Sequence, residues 1–238
     1  MSGRHILIAF SGLLAVLGTA PASTLGQELG QVYQVPIRGD IELGLAPFVE
    51  RSLEQARASG AQAVILDIET PGGRVDAAQR IANAIGDAGV PVYAYINRHA
   101  YSAGALIAVA TDGIYMRSGA VMGAATPVVG SGEKASEKIV SAMRAQMRAL
   151  AENRGLDPDV AEAMVDEDVA IDGVVEAGKL LTLTTAEAVD LGYAEEVEDW
   201  TALMGELDLQ GAPVQTMSVN WAERIVRFLS NPIVAPFL

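Results

Sequence analysis

Cysteine does not occur anywhere in the 238 residues. Disulfide staples, zinc–thiolate sites and a cysteine nucleophile are therefore excluded, while its absence fits either side of a membrane. Positive charge is also scarce: 16 Lys and Arg stand against 30 Asp and Glu, a formal net charge of −14. Phosphate contacts need clusters of Lys and Arg, and none is present, which argues against nucleic acid as a partner. The acidity reads as a solvated surface. Histidine occurs only twice, as His5 and His99. Half of the residues are hydrophobic although only 5% are aromatic, enough for one α/β domain with a full core and extra segments at its ends.

The ends differ from the middle. Arg4 and His5 precede an apolar run from Ile6 to Leu17, and Ala20-Pro21-Ala22 follows as an A-x-A cleavage pattern. This describes a secretory leader over residues 1–22. The run is short of the roughly 20 apolar residues that span a bilayer. Near the other end, Trp221 lies beside Arg224 and Arg227 and leads into Ile225, Val226, Phe228 and Leu229, then Pro232 to Leu238. That pattern looks like the approach to a membrane interface. A C-terminal helix docked on the domain is the plainer alternative. Residues 30–198 are expected to form the folded domain, and 199–238 a linker leading to a membrane-proximal apolar segment.

Between these ends strands alternate with helices. Val32–Ile37, Ala63–Ile68, Pro91–Ile96, Gly113–Met116 and Tyr193–Val197 read as strands. Ile41–Ala58, Val75–Ile85 and a stretch from Ala100 to Ala110 read as helices. Glu133–Asn153 is the longest helix, with Ile139, Met143, Met147 and Leu150 on one stripe, and Thr184 to Glu187 matches a capping box. The alternation predicts an α/β fold with a mostly parallel sheet.

Acyl transfer needs a nucleophile, a base for its proton, and amides aimed at the developing oxyanion. Gly72 and Gly73, lacking Cβ, let the backbone approach a carbonyl closely. Ser102, followed by Ala103 and Gly104, falls at a helix N-terminus, where amides are unpaired and carry the positive end of the helix dipole. Oxyanion donors are therefore expected around Gly72 and Gly73 and at Ala103. A serine ahead of a helix is equally an ordinary N-cap, and Gly-Gly an ordinary turn. His5 falls in the expected leader, and His99, three residues before Ser102, is poorly placed to reach the hydroxyl. Lysine replaces histidine where burial favours the neutral amine. Lys138 adjoins the apolar stripe in the first turns of the long helix; Lys134, one turn earlier, is its rival. Either fits a surface side chain as well.

Three motifs in order carry a resemblance: Asp67-Ile-Glu-Thr-Pro-Gly-Gly73 before a helix, Tyr101-Ser-Ala-Gly-Ala105, and Met122-Gly-Ala-Ala-Thr-Pro-Val128. Over about Val32 to Glu198 the chain resembles the Clp-protease-like superfamily, and within it the NfeD-type membrane serine proteases. The resemblance implies a Clp-protease/crotonase-like fold of repeated β-β-α units. It implies Ser102 as nucleophile, Lys138 as its dyad partner, and Gly72 or Gly73 with Ala103 as oxyanion donors, with no cofactor and no metal. Clp proteases carry a histidine two residues before the proline of the third motif, where this chain has Ala125, a departure that agrees with the missing histidine base.

The resemblance further implies a hydrophobic segment of a stomatin-like membrane protein as substrate, and a homodimer or larger homo-oligomer. With the leader, the domain is expected outside the cytoplasmic membrane, exported across it or anchored to it. A signal-peptide-peptidase-like enzyme would share the mechanism with another substrate. A scaffold binding a stomatin-like partner with an idle dyad is the non-enzymatic alternative. Crotonase-type acyl-CoA chemistry is disfavoured by the leader and by the serine–lysine pairing.

Overall fold

The computed structural model describes residues 30–229. The expected leader and the apolar stretch from Pro232 lie outside the described residues. In chain order the first half comprises β1 (Val32–Arg38), α1 (Leu45–Ala58), β2 (Ala63–Thr70), α2 (Val75–Gly86), β3 (Val92–Tyr101), α3 (Ala103–Val109), β4 (Gly113–Arg117) and β5 (Val121–Gly123). Then follow α4 (Glu137–Asn153), α5 (Pro158–Ala163), β6 (Thr182–Thr184), α6 (Thr185–Asp190), β7 (Glu195–Val197), α7 (Trp200–Glu206), β8 (Val214–Thr216) and α8 (Trp221–Leu229).

The strands form one sheet in the order β6-β5-β3-β2-β1-β8, with β4 joined to β3 and β7 to β4. Every pairing is parallel except β5 with β6. This is the mostly parallel α/β sheet that the alternation predicts. Strand β2 is buried at every position but Glu69, as a central parallel strand covered on both faces must be. β3 has two partners along the same edge. Tyr93 to Ile96 pair with β4, and His99 to Tyr101 pair with β5. The sheet therefore branches at β3.

The two faces have separate cores. On one, Val64, Leu66 and Ile68 meet Leu45, Val49 and Leu53 of α1, Ile81 of α2, Leu106 of α3 and Met143 and Met147 of α4. On the other, Val32, Ala63, Ile65, Tyr95 and Tyr115 lie under Leu203, Met204, Leu209 and Ala212. Alternation along β1 and β2 divides the side chains between these faces.

Several boundaries differ from the sequence expectation. β3 runs on to Tyr101, so α3 begins at Ala103 rather than Ala100. α1 begins at Leu45 rather than Ile41, because the Ile41 amide donates to Gly72 O at 2.8 Å and its carbonyl accepts from the Arg74 amide at 2.7 Å. Ile41 is thus a strand neighbour of the Gly-Gly turn. α4 begins at Glu137 rather than Glu133, since residues 127–135 double back on themselves. There the Val129 amide donates to Glu133 O and the Ala135 amide to Pro127 O, both at 2.9 Å. Lys134 therefore lies in a hairpin, not on the helix that carries Lys138. Residues 199–217, expected within a linker, instead supply α7 and β8, which adds to β1 with Val32 beside Val214. The apolar outer face of β1 and β2 needs this cover. The capping box at α6 is present as expected, with Thr184 Oγ1 accepting from the Glu187 amide and Glu187 Oε2 from the Thr184 amide.

Leu203 is fully buried in the second core. Leu203→Ala is expected to cost about 2–5 kcal/mol, read as a lower denaturant midpoint. A variant as stable as the parent would mean that α7 merely decorates the sheet.

Candidate active site

The site forms where β3 ends and α3 begins. Ser102 occupies the single residue between them, with φ 53° and ψ −119°, a conformation that L-residues rarely adopt and that surrounding structure must enforce. Its amide donates to Gly123 O at 2.8 Å, and its carbonyl accepts from the Ala105 amide at 2.9 Å. The hydroxyl makes no capping hydrogen bond. The ordinary N-cap explanation of this serine therefore fails: the backbone is held by others, and a half-buried Oγ is left available.

Gly72 faces it. A Cβ built on Gly72, at φ 110°, would lie 2.7 Å from Ser102 Cβ and 3.2 Å from Ser102 Oγ, so only glycine fits. The turn is locked by Thr70, which is fully buried. Thr70 Oγ1 donates to Gly39 O at 2.6 Å and accepts from the Gly72 amide at 3.0 Å. The Gly72 amide is thus engaged within the turn. Gly73, at φ 150°, differs. The parallel bridge to Ile41 uses Gly72 O and the Arg74 amide, so alternation turns the Gly73 amide away from Ile41. Among the described residues, neither the Gly73 nor the Ala103 amide has an acceptor. A Cβ on Gly73 would come within 2.2 Å of Ile41 O. Two unengaged amides near a strained serine are the parts an oxyanion site needs.

Thr70 was not evident as a site residue from sequence, although Thr-Pro-Gly-Gly holds the signal: a threonine hydroxyl bonds the backbone two residues on. Thr70 also touches α3. A Cβ on Gly104 would lie 2.4 Å from Thr70 Cγ2, so a methyl-free residue at 104 lets the helix approach the turn.

The third motif is pinned on the far side. The Ala125 amide donates to Met164 O at 2.6 Å and Thr126 Oγ1 to Val165 O at 2.6 Å; Ala125 is buried. His99 lies within β3 and stacks on Tyr101, ring centres 5.1 Å apart.

The chain has three lysines. Lys134 pairs with Glu167 at 3.3 Å and Lys179 with Glu176 at 2.9 Å. Among the described residues, Lys138 alone of the three pairs with no carboxylate. It is exposed at the second position of α4 and lines an apolar groove of about 510 Å³ with Arg74, Val75, Pro127, Val128 and Ile139. No hydrogen bond joins it to Ser102 among the described residues. The groove nonetheless starts one residue beyond Gly73 and one beyond Thr126. The start of α4 is held by Arg144, which pairs with Glu137 and Asp166. The Asp168 amide and Arg144 hold the Asp166 carboxyl below the usual carboxylate range, against its burial. Among the described residues no group of His, Cys, Asp and Glu could hold a metal.

Sheet, Gly-Gly turn and strained serine define the class, a Clp-protease-like fold. Its solved relatives agree. A membrane-bound stomatin-specific protease domain, as a serine-to-alanine variant, superposes with TM-score 0.69 at 25% identity, over 80% of this chain and 99% of that one. The same domain as a lysine-to-alanine variant with a substrate peptide gives 0.70 at 24% identity, over 85% and 98%. ClpP1 from Listeria monocytogenes gives 0.54 at 22%, over 70% and 91%. The chain belongs to the NfeD1b family, whose N-terminal domain matches residues 31–217. It is 39% identical to membrane protein NfeD1b of Bacillus subtilis (strain 168), over 94% of this chain and 53% of that protein. It is 26% identical to the membrane-bound protease PH1510 of Pyrococcus horikoshii, over 99% of this chain and 55% of that protein. The chain thus spans about half the length of these relatives.

Gly104→Ala is expected to destabilise by about 1–3 kcal/mol through the clash with Thr70 Cγ2. Thr70→Ser keeps the hydroxyl and removes that methyl. The double variant should therefore be more stable than Gly104→Ala alone, a coupling read from a denaturation double-mutant cycle. Additive effects would show that the two residues do not bear on each other.

Proposed function

We propose that this chain is the catalytic domain of a membrane-associated serine endopeptidase acting through a Ser102–Lys138 dyad. The observation that carries the reading is Ser102 itself, held in a strained turn against Gly72 with its hydroxyl uncommitted. Ser102 Oγ attacks the scissile carbonyl while its proton passes to the neutral Lys138 amine. The new C–O bond forms as the carbonyl oxygen takes charge opposite the Gly73 and Ala103 amides. The C–N bond then breaks, the leaving amine takes the proton, and water releases the acyl group.

Lys138 is favoured over Lys134 because Lys134 lies in the hairpin with Glu167 as partner. An apolar segment filling the groove would displace water from around Lys138. The lining by Val75, Pro127, Val128, Ile139 and Met143 suits an extended hydrophobic peptide. The stomatin specificity of the relative supports a stomatin-like membrane protein as its source. Membrane association follows from the membrane relatives, and an extracytoplasmic domain from the expected leader. Assembly as a homodimer or larger homo-oligomer completes the proposal.

A second reading, a scaffold that holds the same segment without cleaving it, is favoured by the lack of a Ser102–Lys138 hydrogen bond. The two part on one experiment. The parent should react with a fluorophosphonate probe and hydrolyse a fluorogenic apolar peptide, and Ser102→Ala should lose probe labelling and at least about a thousandfold in turnover. Lys138→Ala should fall comparably, whereas Lys134→Ala should retain activity. Full activity in Ser102→Ala would refute the dyad; peptide binding without turnover in the parent would identify a scaffold.

A further inference from the structure

Ten large apolar side chains stand exposed among the described residues. Val128, Val129 and Ile139 line the groove beside Lys138, and three others are scattered. The remaining four, Trp221, Ile225, Val226 and Leu229, belong to the nine residues of α8 and are 75%, 49%, 42% and 42% exposed. Trp221, Ile225 and Leu229 recur at helical spacing on one stripe.

The opposite side of α8 is what faces the domain. Glu223 is 7% exposed and accepts from Arg51 Nε at 2.6 Å and Arg51 Nη2 at 2.8 Å. It also accepts from the Asn220 amide at 2.7 Å, while Asn220 Oδ1 accepts from the Glu223 amide at 2.8 Å. Arg51 of α1 is anchored in turn by the Ser218 carbonyl and by the Phe48 ring. A surface helix ordinarily buries its apolar stripe and exposes its charges. In α8 the charged anchor points inward and the apolar stripe outward.

We infer that α8 is an in-plane membrane contact: its apolar stripe enters the headgroup–acyl boundary of a bilayer, and the Arg51–Glu223 clamp transmits that orientation to the catalytic domain. The stripe fits this partner better than a second copy. Four side chains cover a few hundred Å², short of the roughly 800 Å² per partner of a stable interface. A tryptophan at the start of the stripe suits the headgroup level. Arg224, exposed beside it, presents positive charge to anionic lipid from a chain whose formal net charge is −14. The inference uses no active-site residue and stands whether or not the domain cleaves peptides.

The chain has two tryptophans, so Trp200→Phe leaves Trp221 as the sole reporter. With vesicles of equimolar phosphatidylcholine and phosphatidylglycerol, Trp221 emission should shift to shorter wavelength and be quenched by brominated acyl chains. Ile225→Ser, Val226→Ser and Leu229→Ser together should lower vesicle partition at least about tenfold without moving the thermal midpoint. Vesicle binding with unchanged Trp221 emission would overturn the inference, since another segment would then be the contact. A Trp221 shift that grows with protein concentration in lipid-free buffer would overturn it in favour of a second copy.

Discussion

The site depends on one close approach, that of Gly72 to Ser102. Because a Cβ at 72 would sit 2.7 Å from that of the serine, the turn after β2 and the turn after β3 are in direct contact. Neither conformation is comfortable alone. Gly72 lies at φ 110° and Ser102 at φ 53°, and each persists because hydrogen bonds from neighbouring segments over-determine it. Gly123 accepts from the Ser102 amide, Ile41 donates to Gly72, and the buried Thr70 hydroxyl ties Gly72 to Gly39. Segments at the ends of β1, β2 and β5 thereby converge on the serine at the end of β3.

This arrangement separates the preformed part of the site from the rest. The serine and its amides rest on the buried centre of the sheet. Lys138 rests on the exposed first turn of α4, reached through the 127–135 hairpin and steadied by Arg144 between Glu137 and Asp166. Electrostatics oriented by backbone cost nothing to reorganise during reaction. A lysine, in contrast, serves as a base only when water has left it.

Much of this was legible in the sequence, for identifiable reasons. β2 announced itself because a central parallel strand is apolar throughout, and α6 because Thr184 and Glu187 cap it reciprocally. Ser102 was readable as a helix-start serine, but its strain was not, since φ depends on Gly123 in another strand. Ile41 and Lys134 both continued a helical pattern and both lie outside the helix. Ile41 is claimed by Gly72, distant in the chain, and Lys134 by the hairpin in which it bridges Val128. Residues 199–217 lie beyond the stretch that carries the resemblance, and Leu203 and Met204 gain meaning only against the outer face of β1 and β2. Among Gly72 and Gly73, spacing could not say which amide is spent inside the turn. Thr70 decides it.

The branching of the sheet at β3 has a mechanical consequence. Four residues of β3 hold β4 and β7, and the next three after a gap, His99 to Tyr101, hold β5 and β6. Strand β3 is a spine with two leaves attached at different heights, and the leaves share no ladder. The upper leaf leads directly into the third motif, the hairpin and α4. Its ends are tied back, since Gly123 accepts from the Ser102 amide and Thr185, just after β6, donates to the Arg117 carbonyl of the lower leaf. The upper leaf therefore carries both the Gly123 carbonyl that fixes Ser102 and the chain that leads on to Lys138.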